Sequence, residues 1–124
     1  MSDDISKLPP NVQERLLRLQ QLQQTLQSIL AQKQQVEMEK TEVEQTMAEL
    51  QKTADEAVIY KAIGSLLVRA DKAKVTEELA ERKSLLDTRS TVMVRQEERI
   101  RGQVKEAQTK LQEDLSPVSG QPLS

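Results

Sequence analysis

The chain has 124 residues, of which 31% are charged and 36% hydrophobic, and it contains one tyrosine but no phenylalanine, tryptophan, cysteine or histidine. Without cysteine or histidine, disulfides, thiol nucleophiles and the usual zinc sites are excluded, and the commonest general base is missing. A net charge of −2 argues against a protein that coats nucleic acid or an anionic membrane, and the Leu, Val, Ile, Met and Ala content with only three glycines favours a coiled coil.

The first predicted helix follows two prolines at positions 9 and 10. Proline interrupts any earlier helix, and Asn11 is expected to cap the new one, with Glu14 three residues on. Helix-forming residues then continue without interruption, so the sequence predicts a helix over 11–53. The segment 1–10 is expected to be disordered. Because it lacks the apolar core of a signal peptide, the cytoplasm is the default location.

Apolar residues of this helix repeat at heptad spacing over about six heptads, which predicts a coiled-coil strand. The predicted a positions are Val12, Leu19, Leu26, Lys33, Lys40 and Met47, and the d positions are Arg15, Leu22, Ile29, Val36, Val43 and Leu50. Two lysines therefore stand in the seam. Their stems can cover apolar surface while the ammonium groups reach water, or they can loosen the coil, and we favour the first interpretation.

The most apolar stretch of the chain, 57–70, predicts a β-hairpin. Gly64-Ser65 fits a two-residue turn whose first central residue needs a positive φ, which glycine adopts without steric cost. The expected pairs are Ile63 with Leu66, Lys61 with Val68, and Ile59 with Ala70. A lone apolar hairpin has two open edges and is marginal in water, so we interpret it as an assembly element rather than a cap on the coil. Its apolar residues Val58, Ile59, Tyr60, Ile63, Leu66, Leu67 and Val68 are expected to meet other chains.

A second helix is predicted over 71–115, with Asp71 as the N-cap candidate. Its regular apolar positions are Val75, Leu79, Leu86, Met93, Ile100 and Ala107, and the predicted intervening positions are Arg82, Arg89, Gln96 and Gln103. This seam is looser than the first. The helices are expected to pair antiparallel, with Lys40 opposite Ser84, Lys33 opposite Thr91 and Glu42 near Arg82. The tail 116–124, which contains two prolines, is expected to be disordered.

Both chain ends then come together at the far end of the helix pair. This end carries apolar residues without an obvious partner in one coiled coil, namely Leu8, Val12, Leu16, Leu17, Leu111, Leu115 and Val118. If several helix pairs share one assembled β body, their ends present many weak apolar contacts that add through effective concentration. This arrangement suits a binder of exposed hydrophobic chain segments.

No motif in the sequence carries catalytic chemistry. A phosphate-cradling glycine loop, a nucleophile elbow, a calcium loop and histidine-based sites are all missing, and adjacent carboxylates such as Glu97 and Glu98 point to different helix faces. We therefore expect no enzyme activity, no cofactor and no metal. Arg89, Arg95, Arg99 and Arg101 suggest a nucleic-acid-binding arm as a minor alternative, but Glu97 and Glu98 interrupt the cluster and no aromatic residue is available for stacking.

The hairpin motif resembles a known family. Ile59-Tyr60-Lys61-x-Ile63-Gly64-x-x-Leu67-Val68, in a helix–hairpin–helix frame preceded by Leu8-Pro9-Pro10-Asn11-Val12-Gln13, is similar to the β-class subunits of prefoldin, most of all to the archaeal form. The resemblance covers essentially the whole chain. It is most specific at the hairpin, because the helices alone match any coiled coil.

This resemblance implies a hetero-hexamer of two α and four β subunits, whose hairpins form intersubunit β-barrels. It implies an ATP-independent chaperone that holds non-native polypeptides at the coiled-coil ends and delivers them to a group II chaperonin. By carry-over, Ile59, Tyr60, Ile63, Gly64, Leu67 and Val68 belong to the assembly hairpin. Client contact is assigned to Val12, Leu16, Leu111 and Leu115, with Leu8 and Val118 as further candidates. The alternative is a non-catalytic coiled-coil scaffold or tether that oligomerises through the same hairpin.

Overall fold

A computed structural model describes residues 7–115 of the chain. Its elements follow in the order helix α1 (Pro10–Gln51), strand β1 (Ile59–Ile63), strand β2 (Leu66–Ala70) and helix α2 (Lys72–Leu115). This order confirms the predicted fold class, two long helices joined by one antiparallel hairpin. The segments expected to be disordered lie outside the described residues, apart from 7–10, of which Pro10 already belongs to α1.

Both helices begin at residues that the sequence marks, although not always in the expected way. The Pro9 carbonyl accepts a hydrogen bond from the Gln13 N–H at 3.0 Å, so Pro9 is the cap residue and Pro10 opens the helix, where its missing N–H costs nothing. Asn11 lies inside the first turn, and its prediction as N-cap is wrong. At α2 the Asp71 carbonyl accepts from the Val75 N–H at 3.0 Å, which confirms Asp71 as the cap position.

The hairpin has the predicted register. All five Cα pairs run antiparallel from Ile59 with Ala70 at the open end to Ile63 with Leu66 at the turn. Gly64 has φ of 59°, and no residue other than glycine has a positive φ in the described part of the chain. This combination is that of a type II′ turn, whose twist suits the two flanking strands. Any side chain at position 64 strains this backbone, although a Cβ meets no atom within 4 Å.

Helix α1 buries one side chain every seven residues. The buried positions are Leu22, Ile29, Val36, Val43 and Leu50, which are five of the six predicted d positions, together with Val12 of the a row; the sixth d position, Arg15, is half-buried. The a positions Leu19, Leu26, Lys33, Lys40 and Met47 are half-buried. The predicted seam of α1 is therefore confirmed, and its a row is the more open of the two.

Helix α2 buries Leu86, Ile100 and Leu111, with Leu79, Met93 and Ala107 half-buried between them. Of its predicted intervening seam positions, Arg82 and Arg89 are exposed, whereas Gln96 and Gln103 are half-buried as expected. Further half-buried or buried residues alternate with the regular apolar ones at spacings of three and four, namely Lys83, Ser90, Glu97, Val104 and Leu111. Three of these are polar, so the seam of α2 is loose as expected, in part through other residues than those predicted.

Two compact units can be distinguished, one formed by residues 33–92 and the other by the described residues 7–32 with 93–115. In the first unit, Val36, Val43 and Leu86 form the buried core, and Met47 and Leu79 pack against it. In the second, Val12, Leu22, Ile29, Ile100 and Leu111 are the buried apolar residues. Each unit thus has its own small core between the two helices.

Polar contacts fix how the helices face each other in the unit 33–92. Lys40 Nζ lies 3.1 Å from Asp87 Oδ1, and the Ser90 hydroxyl donates to Glu37 Oε1 at 2.7 Å. Lys40 therefore faces Asp87 and not the predicted Ser84, three residues earlier. The prediction assumed that two equal arms fold about their midpoint, whereas the hairpin and the segment before it set a later register.

Candidate functional site

The apolar side chains of the hairpin are uncovered in the single chain. The exposed fraction is 73% for Leu67, 66% for Leu66 and 62% for Tyr60. The other large apolar residues Val58, Ile63 and Val68 are also exposed, and Ile59 is half-buried. The predicted assembly residues are therefore together on the hairpin and directly before it, and within residues 7–115 most of their apolar surface is uncovered.

One ion pair connects the hairpin to the beginning of α2. Lys61 Nζ lies 2.6 Å from Glu78 Oε2. Because side chains alternate along a strand, Ile59 and Ile63 share the face of β1 that carries Lys61, and Tyr60 lies on the opposite face. The first face is thus turned towards α2, and the face with Tyr60 and Leu67 is the more open one.

A second lysine ties the beginning of α2 to the segment that follows α1. The Lys72 ammonium donates to the Thr53 carbonyl and lies 3.1 Å from Asp55 Oδ1, and the Lys72 side chain is only 17% exposed. Lys72 therefore joins the first turn of α2 to the segment that follows α1 by a charge-assisted hydrogen bond and an ion pair. Only Lys61 of these two lysines belongs to the hairpin, which it joins to α2 through Glu78.

The predicted client-binding residues lie at the Pro10 end of α1 and the Leu115 end of α2. Val12 is 2% exposed and Leu111 is buried, so both serve the packing between the helices. Leu8 and Leu16 are half-buried, and Leu115 is 49% exposed. Leu17 is exposed as well, and Val118 lies outside the described residues.

Polar contacts join these two helix ends. The Arg15 guanidinium forms an ion pair with Asp114, and the Asn11 amide donates to the same carboxylate at 3.4 Å. A groove of about 520 Å³ beside them is lined mostly by polar and charged side chains, with Leu22 and Ala107 as its apolar members. Outside the groove, the accessible apolar surface of this region is on Leu17 and Leu115 and, in part, on half-buried Leu16.

The described residues give no support to catalytic chemistry. Within 7–115 no three His, Cys, Asp or Glu side chains are grouped so that they can hold a metal ion. Lys40 has a raised pKa, because Asp87 accepts a hydrogen bond from its ammonium and Glu37 lies nearby. Neither described helix is both long enough and apolar enough to pass through a membrane.

These features define a class of protein, a helix–hairpin–helix chain with an exposed apolar two-stranded sheet. A family model described as prefoldin subunit matches residues 13–117. Prefoldin subunit beta of Archaeoglobus fulgidus is 45% identical over 94% of this chain and 100% of the relative. Prefoldin subunit beta of Methanothrix thermoacetophila is 46% identical over 90% of this chain and 93% of the relative. The chain belongs to the prefoldin subunit family.

The fold comparison agrees with the sequence comparison. The crystal structure of the prefoldin beta subunit from Thermococcus strain KS-1 superposes with a TM-score of 0.78 at 37% identity, covering 86% of this chain and 93% of the other. The resemblance inferred from the hairpin motif is thereby confirmed. Members of this family are non-catalytic chaperone subunits, and this chain is a chaperone subunit and not an enzyme.

Proposed function

We propose that this chain is one of four beta-type subunits that join two alpha-type subunits in a cytoplasmic hetero-hexamer. The hairpins pair edge to edge and close into intersubunit β-barrels. The complex holds non-native polypeptides at the helix ends without ATP and delivers them to a group II chaperonin. This proposal rests on family membership together with the two exposed surfaces described above.

The observation that carries the assembly step is the contrast in burial between hairpin and helices. The chain buries the seam residues of α1 against α2 but leaves Tyr60, Leu66 and Leu67 at least 62% exposed. Apolar surface of this extent on a two-stranded sheet with open edges is stabilised when further strands and side chains cover it. Other hairpins of the same kind supply both.

Client contact is proposed for the ends of the helices. Leu17 and Leu115 are exposed, and half-buried Leu8 and Leu16 provide further, partly accessible apolar surface, while Val12 and Leu111 are buried. Val118, outside the described residues, is part of the same proposal. Each contact is weak, but several helix pairs on one body raise the effective concentration of such contacts around a single client.

The experiment that tests this function combines native mass with light scattering. The chain is mixed with an alpha-type partner, and a chemically denatured client is added without ATP. We expect a six-chain complex that suppresses client aggregation, and weaker suppression with the variant Leu16→Ser/Leu115→Ser at unchanged mass. Met38→Ser, which removes an exposed apolar side chain of α1 away from both surfaces, is the matched control and should hold clients normally.

The burial of Val12 and Leu111 favours one alternative, a scaffold or tether that assembles through the hairpin but does not hold clients. Fewer accessible apolar residues at the helix ends mean a smaller client surface. A stable six-chain complex that leaves the aggregation of several clients unchanged would establish this alternative. A chain that stays monomeric with the partner present would contradict both functions.

A further inference from the structure

A strip of four side chains on α2 belongs neither to the hairpin nor to the helix ends. Arg82, Leu85, Arg89 and Val92 follow one another at spacings of three and four residues, which places them along one face of the helix. All four are exposed, Leu85 by 62% and Val92 by 41%. We call this set the arginine–leucine strip.

The strip takes no part in the pairing of α2 with α1. Leu86, the residue next to Leu85, is 2% exposed and fills the core with Val36 and Val43. Leu85 therefore points away from that core, and Val92 follows it after seven residues. Two apolar side chains at this interval on one helix face form the pattern with which a helix meets a second helix.

The two arginines of the strip have no carboxylate partner among residues 7–115. Glu78, one turn before Arg82, is occupied by Lys61 of the hairpin at 2.6 Å. One turn before and after Arg89 the chain has Leu85 and Met93. No ion pair within residues 7–115 involves either arginine. Two free guanidinium groups beside apolar side chains select a partner with carboxylates at matching intervals.

We propose that the arginine–leucine strip docks an acidic amphipathic helix of a partner protein. The partner's apolar residues, seven positions apart, pack on Leu85 and Val92, and its flanking glutamates or aspartates bind Arg82 and Arg89. The contact is small compared with interfaces of stable complexes, which bury roughly 1,200–2,000 Å². It therefore suits a transient partner that binds and leaves the chaperone complex.

A second copy of this chain fits the strip less well. The part of α1 richest in carboxylates, residues 37–49 with five glutamates, offers Met38 as its single large exposed apolar side chain, so it matches one of the two apolar positions. Nucleic acid fits less well again, because phosphates engage the arginines and leave Leu85 and Val92 uncovered. A protein helix with both features uses all four residues.

The probe is a labelled synthetic helix three heptads long, with leucine at the core positions and glutamate beside them, titrated into the assembled complex by fluorescence anisotropy. We expect Leu85→Gln and Arg82→Glu/Arg89→Glu each to weaken binding about tenfold or more, which corresponds to about 1.4 kcal/mol. Met38→Gln, the matched exposed residue on α1, should leave binding unchanged. A peptide with lysine in place of glutamate should bind Arg82→Glu/Arg89→Glu better than the wild-type complex.

The lysine peptide combined with Arg82→Glu/Arg89→Glu keeps the test valid even if one of the variants is less stable, because it predicts a gain of binding. Binding that ignores the strip variants but falls with Leu16→Ser/Leu115→Ser would overturn the proposal, because the peptide is then held as a client at the helix ends. Oligonucleotide binding that needs the arginines but not Leu85 would overturn it in favour of a polyanion surface. Association of complexes that Leu85→Gln abolishes would overturn it in favour of a second copy.

Discussion

The hairpin and helix α1 are both rich in apolar residues, yet the folded chain treats them in opposite ways. Helix α1 buries Leu22, Ile29, Val36, Val43 and Leu50 at seven-residue intervals, whereas the hairpin leaves Tyr60, Leu66 and Leu67 largely exposed. A heptad pattern finds its partner in the second helix of the same chain. The hairpin finds no such partner among residues 7–115, which is why we propose that other chains cover it.

Energetic considerations support this division. Covering a large aliphatic or aromatic side chain that was exposed contributes about 1.5–3 kcal/mol, and the hairpin offers several of them. A two-stranded hairpin alone is marginally stable, so the contacts that Lys61 and Lys72 make with Glu78, Thr53 and Asp55 matter most before assembly.

Ile63→Asp should have the largest effect, which we expect on assembly. In the proposed assembly it places a charge where the completed sheet excludes water, at a cost of several kcal/mol. We expect native mass spectrometry with an alpha-type partner to show loss of the oligomer, while the far-UV helical signal of the chain persists. Gln108→Asp, at an exposed position of α2, introduces the same charge away from the hairpin and should leave the oligomer intact. An intact oligomer with Ile63→Asp would refute the assembly role of the hairpin.

Leu86→Ala and Leu85→Ala form a matched pair of neighbours that tests the helix side of the comparison. Leu86 is 2% exposed and Leu85 62%. Removal of the buried side chain should cost about 2–5 kcal/mol of unfolding free energy, and removal of the exposed one less than about 0.5 kcal/mol. Thermal unfolding followed by circular dichroism measures both, and equal losses would contradict the seam of α2 described here.

Lys40→Met should change how stability depends on alkaline pH. The folded pKa of Lys40 lies above 10.5, mainly because of its hydrogen bond to Asp87, so its stabilising contribution is complete below 10.5 and is lost as the pH rises through the folded value. As the pH rises above 10.5, the melting temperature of the wild type should therefore fall more than that of the variant. Asp87→Asn removes the charged acceptor and should reduce the pH-dependent difference between Lys40→Met and the chain that keeps Lys40. A difference that does not depend on pH would count against the interaction of Lys40 with Asp87.

Lys61→Met should have the smallest effect. Its ion pair with Glu78 joins two side chains that are each nearly half exposed, and water and salt screen such pairs, so the loss in unfolding free energy of the unassembled chain should not exceed about 1 kcal/mol. Melting curves at low and high salt measure it, and the difference from wild type should shrink as salt is added. A loss as large as that of Leu86→Ala would show that the pair, and not the strand pairing, holds the hairpin.

Local rules predicted much of this fold from the sequence. The positive φ of Gly64 and the strand register followed from a two-residue turn, and the seam of α1 followed from an unbroken heptad repeat. In both cases a few neighbouring residues determine the geometry. The class of protein and its family followed from the hairpin motif in the same way.

The remaining features depend on contacts between distant residues. Apolar spacing did not reveal that Lys83, Ser90 and Glu97 alternate with Leu86 and Met93 in the seam of α2, because polar residues leave no hydrophobic signal. The register between the helices, which places Lys40 opposite Asp87, depends on the length of the segment between α1 and β1. A heptad assignment carries no information about that length. Likewise, the burial of Val12 and Leu111 is decided by the packing of two helix ends that are far apart in sequence.

Hydrogen exchange of the hairpin amides, measured before and after addition of an alpha-type partner, tests the central claim most directly. If other chains complete the sheet, the amides of β1 and β2 should become protected on mixing, because the open strand edges gain hydrogen-bond partners. Amides around Val43 in α1 should change little, since their partners lie within the chain. Hairpin amides that exchange equally fast with and without the partner would contradict the claim.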